Sequence, residues 1–179
     1  HLAVPPTASL IGTVVNSIAS ISSDAPDSDP ANDSYGISRT ITGAYDPNDK
    51  LASTSSRLSN QFFFLDADQW IDYTIRFQNT GSAEAINVHL TDTISPLLNL
   101  GSLQILGASH AFTAQLLQDR VLRFDFAGIM LPDSATDLLG SQGFASFRLR
   151  PAGNLLAGSL IENNADIFFD FNEPVRTNT

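Results

Sequence analysis

From Trp70 to Phe77 the chain alternates residue by residue. Ile71, Tyr73, Ile75 and Phe77 fall on one face, and Trp70, Asp72, Thr74 and Arg76 on the other. Side chains along an extended strand point to opposite sides in turn, so this period of two marks a strand with one buried and one wet face. Asn79-Thr80-Gly81-Ser82 reads as a turn. After it Ile86, Val88 and Leu90 alternate with Asn87, His89 and Thr91. The two strands are expected to form a hairpin or lie as near neighbours. Further strands are expected at Leu103–Leu106, Phe112–Leu117, Val121–Phe126, Phe144–Arg150 and Leu160–Phe169, with one helical turn within Leu131–Gly140. Short alternating strands separated by Gly, Pro and Asn turns predict an all-β fold, an antiparallel Ig-like, Greek-key β-sandwich.

The segment before this pattern differs. Leu10, Ile11, Val14, Val15, Ile18 and Ile21 form a β-branched run poor in helix formers, which favours a strand. Residues 24–34 carry two prolines and four aspartates and read as a loop. A short strand is expected at Tyr35–Thr42. Gly43–Lys50 reads as a turn and boundary, and residues 51–60 as a Ser-rich loop. The chain therefore divides into an N-terminal strand segment with an acidic loop, 1–43, and a sandwich, 44–179. It begins at His1 without an initiating Met, as a processed protein or an excised fragment would.

Charge narrows the function. Nineteen acidic residues, sixteen of them Asp, face nine basic ones, for a net charge of -10. Such a surface repels nucleic acid and anionic membranes, keeps an extracellular protein soluble, and suits hard divalent cations. There is no cysteine, hence no disulfide or thiolate metal site. No apolar run approaches the ~18 residues of a membrane span.

Several motifs together resemble a conserved repeat domain of large secreted surface proteins of Bacteroidota, many of them type IX secretion substrates. They are Tyr45-Asp46-Pro47-Asn48-Asp49-Lys50, Tyr73–Gly81, Ala85, Asn87, Val88, Asp92-Thr93, Ser109-His110, Leu131–Ser134, Ser141–Phe144, Ile161, Asn163, Ala165, Ile167–Val175, Thr177 and Asn178. The resemblance spans about residues 44–179. It implies a sandwich related to bacterial surface-repeat domains with an Asn-Thr-Gly turn, and export to the cell surface, without implying an activity. Residues 1–43 look like the closing strands of a preceding surface domain. An apolar strand there would lack partners. It would then add to this sandwich or complete the sheet of a neighbouring subunit, the second route giving filaments.

Four constellations carry candidate chemistry. Asp46, Asn48 and Asp49 in one turn, with Asp170 and Asn172 near the C-terminus, offer five oxygens that could converge on Ca²⁺ if the first and last strands adjoin; the same residues also suit a plain Asx-capped turn. Asp24, Asp27, Asp29, Asn32 and Asp33 form a second, weaker cation candidate, whose plainer reading is a solvated linker. Lys50, the sole lysine, suggests an intramolecular isopeptide bond to Asn163 or Asn164, with Asp92 or Glu162 shuttling protons; a surface ion pair is the simpler role. Trp70 beside Phe62-Phe63-Phe64 offers a sugar-stacking platform, or a packed aromatic under the 51–64 loop. No Gly-x-Ser-x-Gly elbow or zinc-protease motif accompanies His1, His89 and His110. The sequence thus points to a non-enzymatic adhesive or structural module of a secreted surface protein, which pairs strands with itself or its neighbours. The alternative is a polysaccharide-binding accessory module of a larger secreted enzyme.

Overall fold

The computed structural model describes residues 14–22, 29, 32–40, 47–58 and 62–179. The chain divides into two compact units, His1–Tyr45 and Asp46–Thr179.

In the first unit β1 (Val14–Ser20) pairs antiparallel with β2 (Ser34–Thr40), Val14 opposite Thr40 and Ser20 opposite Ser34. The apolar strand expected to lack a partner thus has one. A strand that returns after a short loop is the easiest partner to reach, because closing a short loop costs little entropy. Two strands cannot bury both faces, and Ile18, Ile21 and Tyr35 are each at least 70% exposed. Leu10 and Ile11 lie outside the described residues.

The second unit is built from β3 (Asp49–Thr54), β4 (Ile71–Gln78), β5 (Val88–Thr93), β6 (Leu98–Ala108), β7 (Thr113–Leu116), β8 (Val121–Phe126), β9 (Gln142–Pro151), β10 (Ala165–Phe169) and β11 (Val175–Arg176). These form two sheets, ordered β3-β4-β9-β6 and β11-β10-β5-β8-β7, and every pairing is antiparallel. The inner faces supply the core. Ile71, Tyr73, Ile75 and Phe77 of β4 and Ala145, Phe147 and Leu149 of β9 meet Val88, Leu90, Leu122, Phe124, Phe126 and Ile167 of the other sheet. Phe77 meets Phe126 at 5.2 Å between ring centroids, and Phe124 meets Phe147 at 6.2 Å. Full burial of one such side chain is worth about 1.5–3 kcal/mol. Gly143 faces Phe77 across the β4–β9 ladder, and a Cβ there would stand 2.3 Å from the ring. The close approach of the ring requires glycine.

The all-β antiparallel sandwich matches the sequence expectation, with four local differences. β4 and β5 are not a hairpin: β4 pairs with β3 and β9, and β5 with β10 and β8. The Asn-Thr-Gly segment is the start of a crossover between sheets. The buried Asn79 Nδ2 donates to the carbonyls of Ala83 (2.8 Å) and Leu131 (3.0 Å), while its Oδ1 accepts the Gly81 N–H (3.0 Å). One side chain thereby turns the chain and anchors it to a loop of distant sequence. Residues 49–54, assigned to turn and loop, form an edge strand in which Leu51, Ala52 and Ser53 are all exposed, so no apolar alternation marks it. Residues 160–164, assigned to strand, are irregular and β10 begins at Ala165. In 131–140 there are turns, two of them closed by N–H donation from Asp137 to Asp133 O and from Ser141 to Asp137 O.

Asn79→Ala should destabilise the second unit by about 1–3 kcal/mol, the usual cost of stranding buried polar groups. Urea unfolding of the variant measures it, and a loss below about 0.5 kcal/mol would show that the loop holds without the amide.

Candidate functional site

The alternation that turns Val88 and Leu90 of β5 inward turns Asp92 inward as well. On β3, Lys50 stands opposite Ile75, and its side chain also enters the core. The two belong to different sheets and meet between them. Lys50 Nζ donates to Asp92 Oδ2, with side chains only 2% and 0% exposed. The ammonium also lies 4.7 Å from the Tyr73 ring centre and 5.4 Å from that of Phe147. Asn163 completes the cluster from just before β10, two residues ahead of Ala165, which pairs with Asp92. Its amide lies close enough to Asp92 and Tyr73 to lower the proton affinity of both. Yet neither of its polar atoms attains hydrogen-bond geometry, and the second Asp92 oxygen, Oδ1, is likewise unpartnered.

Burial dominates the electrostatics. It brings Lys50 down to about 8, against the opposing pull of Asp92. It pushes the Asp92 carboxyl up, against the opposing effects of Lys50 and Asn163. Tyr73 is raised by burial and then by the Asp92 charge. Both members of the ion pair are thus driven toward their neutral forms, as desolvation requires.

The chain's C-terminus closes over the cluster. Lys50 N–H donates to Asn178 Oδ1 (2.9 Å), and Asn178 Nδ2 donates to the Lys50 carbonyl (3.1 Å). Thr177 exchanges bonds with Ala165, through Ala165 N–H to Thr177 Oγ1 (2.9 Å) and Thr177 N–H to the Ala165 carbonyl (2.9 Å). Residues 177–178 therefore bridge the two sheets along the seam between β3 and β10.

Of the residues considered for Lys50 in the sequence, the structure brings Asp92 and Asn163 to it, whereas Glu162 is exposed. Sequence reasoning missed Tyr73 as a member, and it gave Thr177 and Asn178 no role. The inward parity of Tyr73 was the signal for the first. The other two stood among the motifs of the resemblance, which gave them no role.

Three of the Ca²⁺ candidates, Asn48, Asp49 and Asp170, have side-chain partners. Asn48 Oδ1 accepts the Gln78 N–H (3.0 Å), and Asp49 receives a two-pronged bond from Arg76, whose Nε lies 2.7 Å from Oδ1. Asp170 accepts the N–H groups of Ile86 (3.2 Å) and Asn87 (2.7 Å), and the Asn172 N–H donates to Phe169 O (3.1 Å). Asp46 lies outside the described residues. Among those described, no group of three or more His, Asp or Glu side chains is placed to hold a metal. In the acidic loop, Asp24 and Asp27 lie outside the described residues, and the Asn32 N–H donates to Asp29 O (3.2 Å).

The remaining candidates are structural in their contacts. Trp70 lies under two guanidinium groups, Arg150 at 4.4 Å and Arg148 at 5.6 Å, and Arg148 also pairs with Asp72. Phe63 packs on the core while Phe62 and Phe64 are exposed. Asp68 holds their loop by accepting the N–H groups of Ser56 (2.7 Å) and Phe64 (2.9 Å). His89 stacks on Phe168 at 4.2 Å. His110 shares a 2.8 Å hydrogen bond with Ser109 at the exposed end of β6, where Ser109 Oγ also accepts the Phe144 N–H (2.8 Å).

Lys50→Met should cost at least about 3 kcal/mol, because it strands the Asp92 charge in an apolar interior. Urea unfolding near neutral pH reads this, and a cost under about 1 kcal/mol would show that the pair does not hold the sheets.

Solved structures similar to the chain include the major pilin SpaA of Corynebacterium diphtheriae, described as a modular pilus assembly with stabilizing isopeptide bonds. It has 12% identity and a TM-score of 0.48, covering 75% of this chain and 38% of that one. Domains D2 and D3 of the pilin SpaD from the same organism give 17% identity and 0.49, covering 73% and 50%. The collagen-binding domain of a Staphylococcus aureus adhesin gives 10% identity and 0.45, covering 75% and 95%. The chain thus spans half or less of the length of the two pilin structures. No curated protein matches it significantly. Residues 46–179 match the family described as a domain of unknown function, DUF7619, and the chain belongs to that family.

Proposed function

We propose that this chain is a non-enzymatic structural or adhesive module of an extracellular surface protein, exported as its resemblance to type IX substrates implies. Its task is to carry mechanical load between its ends. The observation that supports this reading is the seam. The entry strand β3 is tied directly to Asn178 through both main-chain groups of Lys50, and the Lys50 side chain is tied to the opposite sheet through Asp92. Tension applied at the two ends must shear these bonds together before any strand peels away. The net charge of -10 keeps such a module soluble and unattractive to nucleic acid.

Filament formation by strand donation belongs to the same proposal. Among the described residues the β1–β2 sheet has two strands and exposed apolar side chains, a surface to which a neighbouring copy could add a strand. Polysaccharide binding has less support, because Arg150 already covers the Trp70 ring. Stiffening by Ca²⁺ would have to draw Asp49 from Arg76 and Asp170 from two backbone amides.

Pulling the chain from its ends in a force spectrometer tests the load-carrying reading. Asn178→Ala should unfold at a clearly lower force than the native sequence, and equal forces would sink the proposal. For Ca²⁺, the melting temperature should be the same with EDTA as with millimolar Ca²⁺, since Asp49 is already held by Arg76 and Asp170 by two backbone amides; a rise of several degrees with Ca²⁺ would support the metal.

A further inference from the structure

We propose that Lys50 and Asn163 become joined by an intramolecular isopeptide bond, with Asp92 as the acid–base group that moves the proton. The inference stands on the cluster's geometry and is independent of the module's mechanical role. A lysine and a carboxylate from opposite sheets are in direct contact and sealed from water. Beside them lies a buried asparagine amide whose Nδ2 and Oδ1 both lack hydrogen bonds. Burying an amide without partners is costly, and native interiors seldom tolerate it. Here the unpartnered groups are an amide and a carboxyl oxygen, next to an amine held by the same carboxylate, which together are the reactants and the proton carrier of an amide exchange. The aromatic walls, Tyr73 and Phe147, exclude the water that would compete for the carbonyl.

The step balances without a further reagent. Transfer of a proton from Lys50 to Asp92 within the pair yields a neutral amine and a neutral carboxylic acid. Burial favours these forms, lowering Lys50 to about 8 and raising Asp92. The free electron pair on Nζ attacks Asn163 Cγ, while the Asp92 acid donates to the developing oxyanion. The Nζ–Cγ bond forms, the Cγ–Nδ2 bond breaks, and the nitrogen leaves as ammonia. Nζ, which starts as an ammonium, loses two protons: one reaches the leaving nitrogen through Asp92, and the other, lent to the oxyanion, returns to Asp92 as the carbonyl re-forms, so Asp92 ends as the neutral acid. No atom changes oxidation state. The product is a covalent tie from β3 in one sheet to the approach of β10 in the other.

The test uses the full chain, unfolded only for the measurement. Loss of ammonia should place its intact mass about 17 Da below the sequence mass. Lys50 is the only lysine, so an amine-acylating reagent in denaturant should label the N-terminal amine alone. Proteolysis should release the Lys50 peptide joined to the Asn163 peptide. Asn163→Asp should form the same link with loss of water, about 18 Da below its own sequence mass. Asp92→Asn, shown to be folded by circular dichroism, should keep its full mass and label at both amines. A native chain at its sequence mass with Lys50 labelled overturns the proposal. So does a 17 Da loss with Lys50 still labelled, which marks cyclisation of an asparagine instead. A folded Asp92→Asn chain that still links overturns the role given to Asp92.

Discussion

Two opposite charges are buried where the sheets meet, and the organisation of the second unit depends on how that cost is met. An isolated carboxylate or ammonium in an apolar interior is expensive, and pairing offsets the cost only when the contact is close and the remaining polar valences are satisfied. Lys50 and Asp92 meet the first condition. The second is met incompletely by hydrogen bonds, since Asp92 Oδ1 and the Asn163 amide have none. An ordinary stabilising ion pair does not explain that arrangement. A group of side chains poised to condense does.

The same seam connects the fold to the proposed role. A sandwich whose first and last strands are unconnected can be unzipped from either end. Here Thr177 is bonded to Ala165 and Asn178 to Lys50, so the exit of the chain is fastened to its entry strand across both sheets. The aromatic layer of Tyr73, Phe77, Phe124, Phe126 and Phe147 then packs behind a closed edge. Elsewhere the polar pairs, Arg76 with Asp49, Arg148 with Asp72 and Arg176 with Asp166, lie on the outer faces and brace neighbouring strands. Partly exposed pairs of this kind contribute little each, about 0–1 kcal/mol, and they set register more than stability.

Strands with one wet face were readable from the sequence. β4, β8 and β9 follow their alternation, and their inward residues are the ones that form the core. Where that contrast fails, so did the reading. β3 is an edge strand with a lysine turned inside and its one large apolar residue, Leu51, turned outside, the reverse of the usual contrast. β11 spans two residues. The β4–β5 connection looked like a hairpin because Asn-Thr-Gly favours a turn, but a turn residue says nothing about which sheet the chain enters next. The bonds from Asn79 to Ala83 and Leu131 decide that.

The sequence by itself determined the class of fold and the inward parity of each clear strand, because both follow from local backbone geometry. It also determined that one lysine exists and that carboxylates and asparagines are plentiful. The tertiary structure alone decided which of them Lys50 meets. Asp92 lies 42 positions away and Asn178 lies 128. Contacts across a sandwich depend on how two sheets are ordered and stacked, and no local period records that. The pairing of Ala165 with Asp92 brings Asn163 to the lysine, and the same packing that creates the core removes the water that would keep those groups inert.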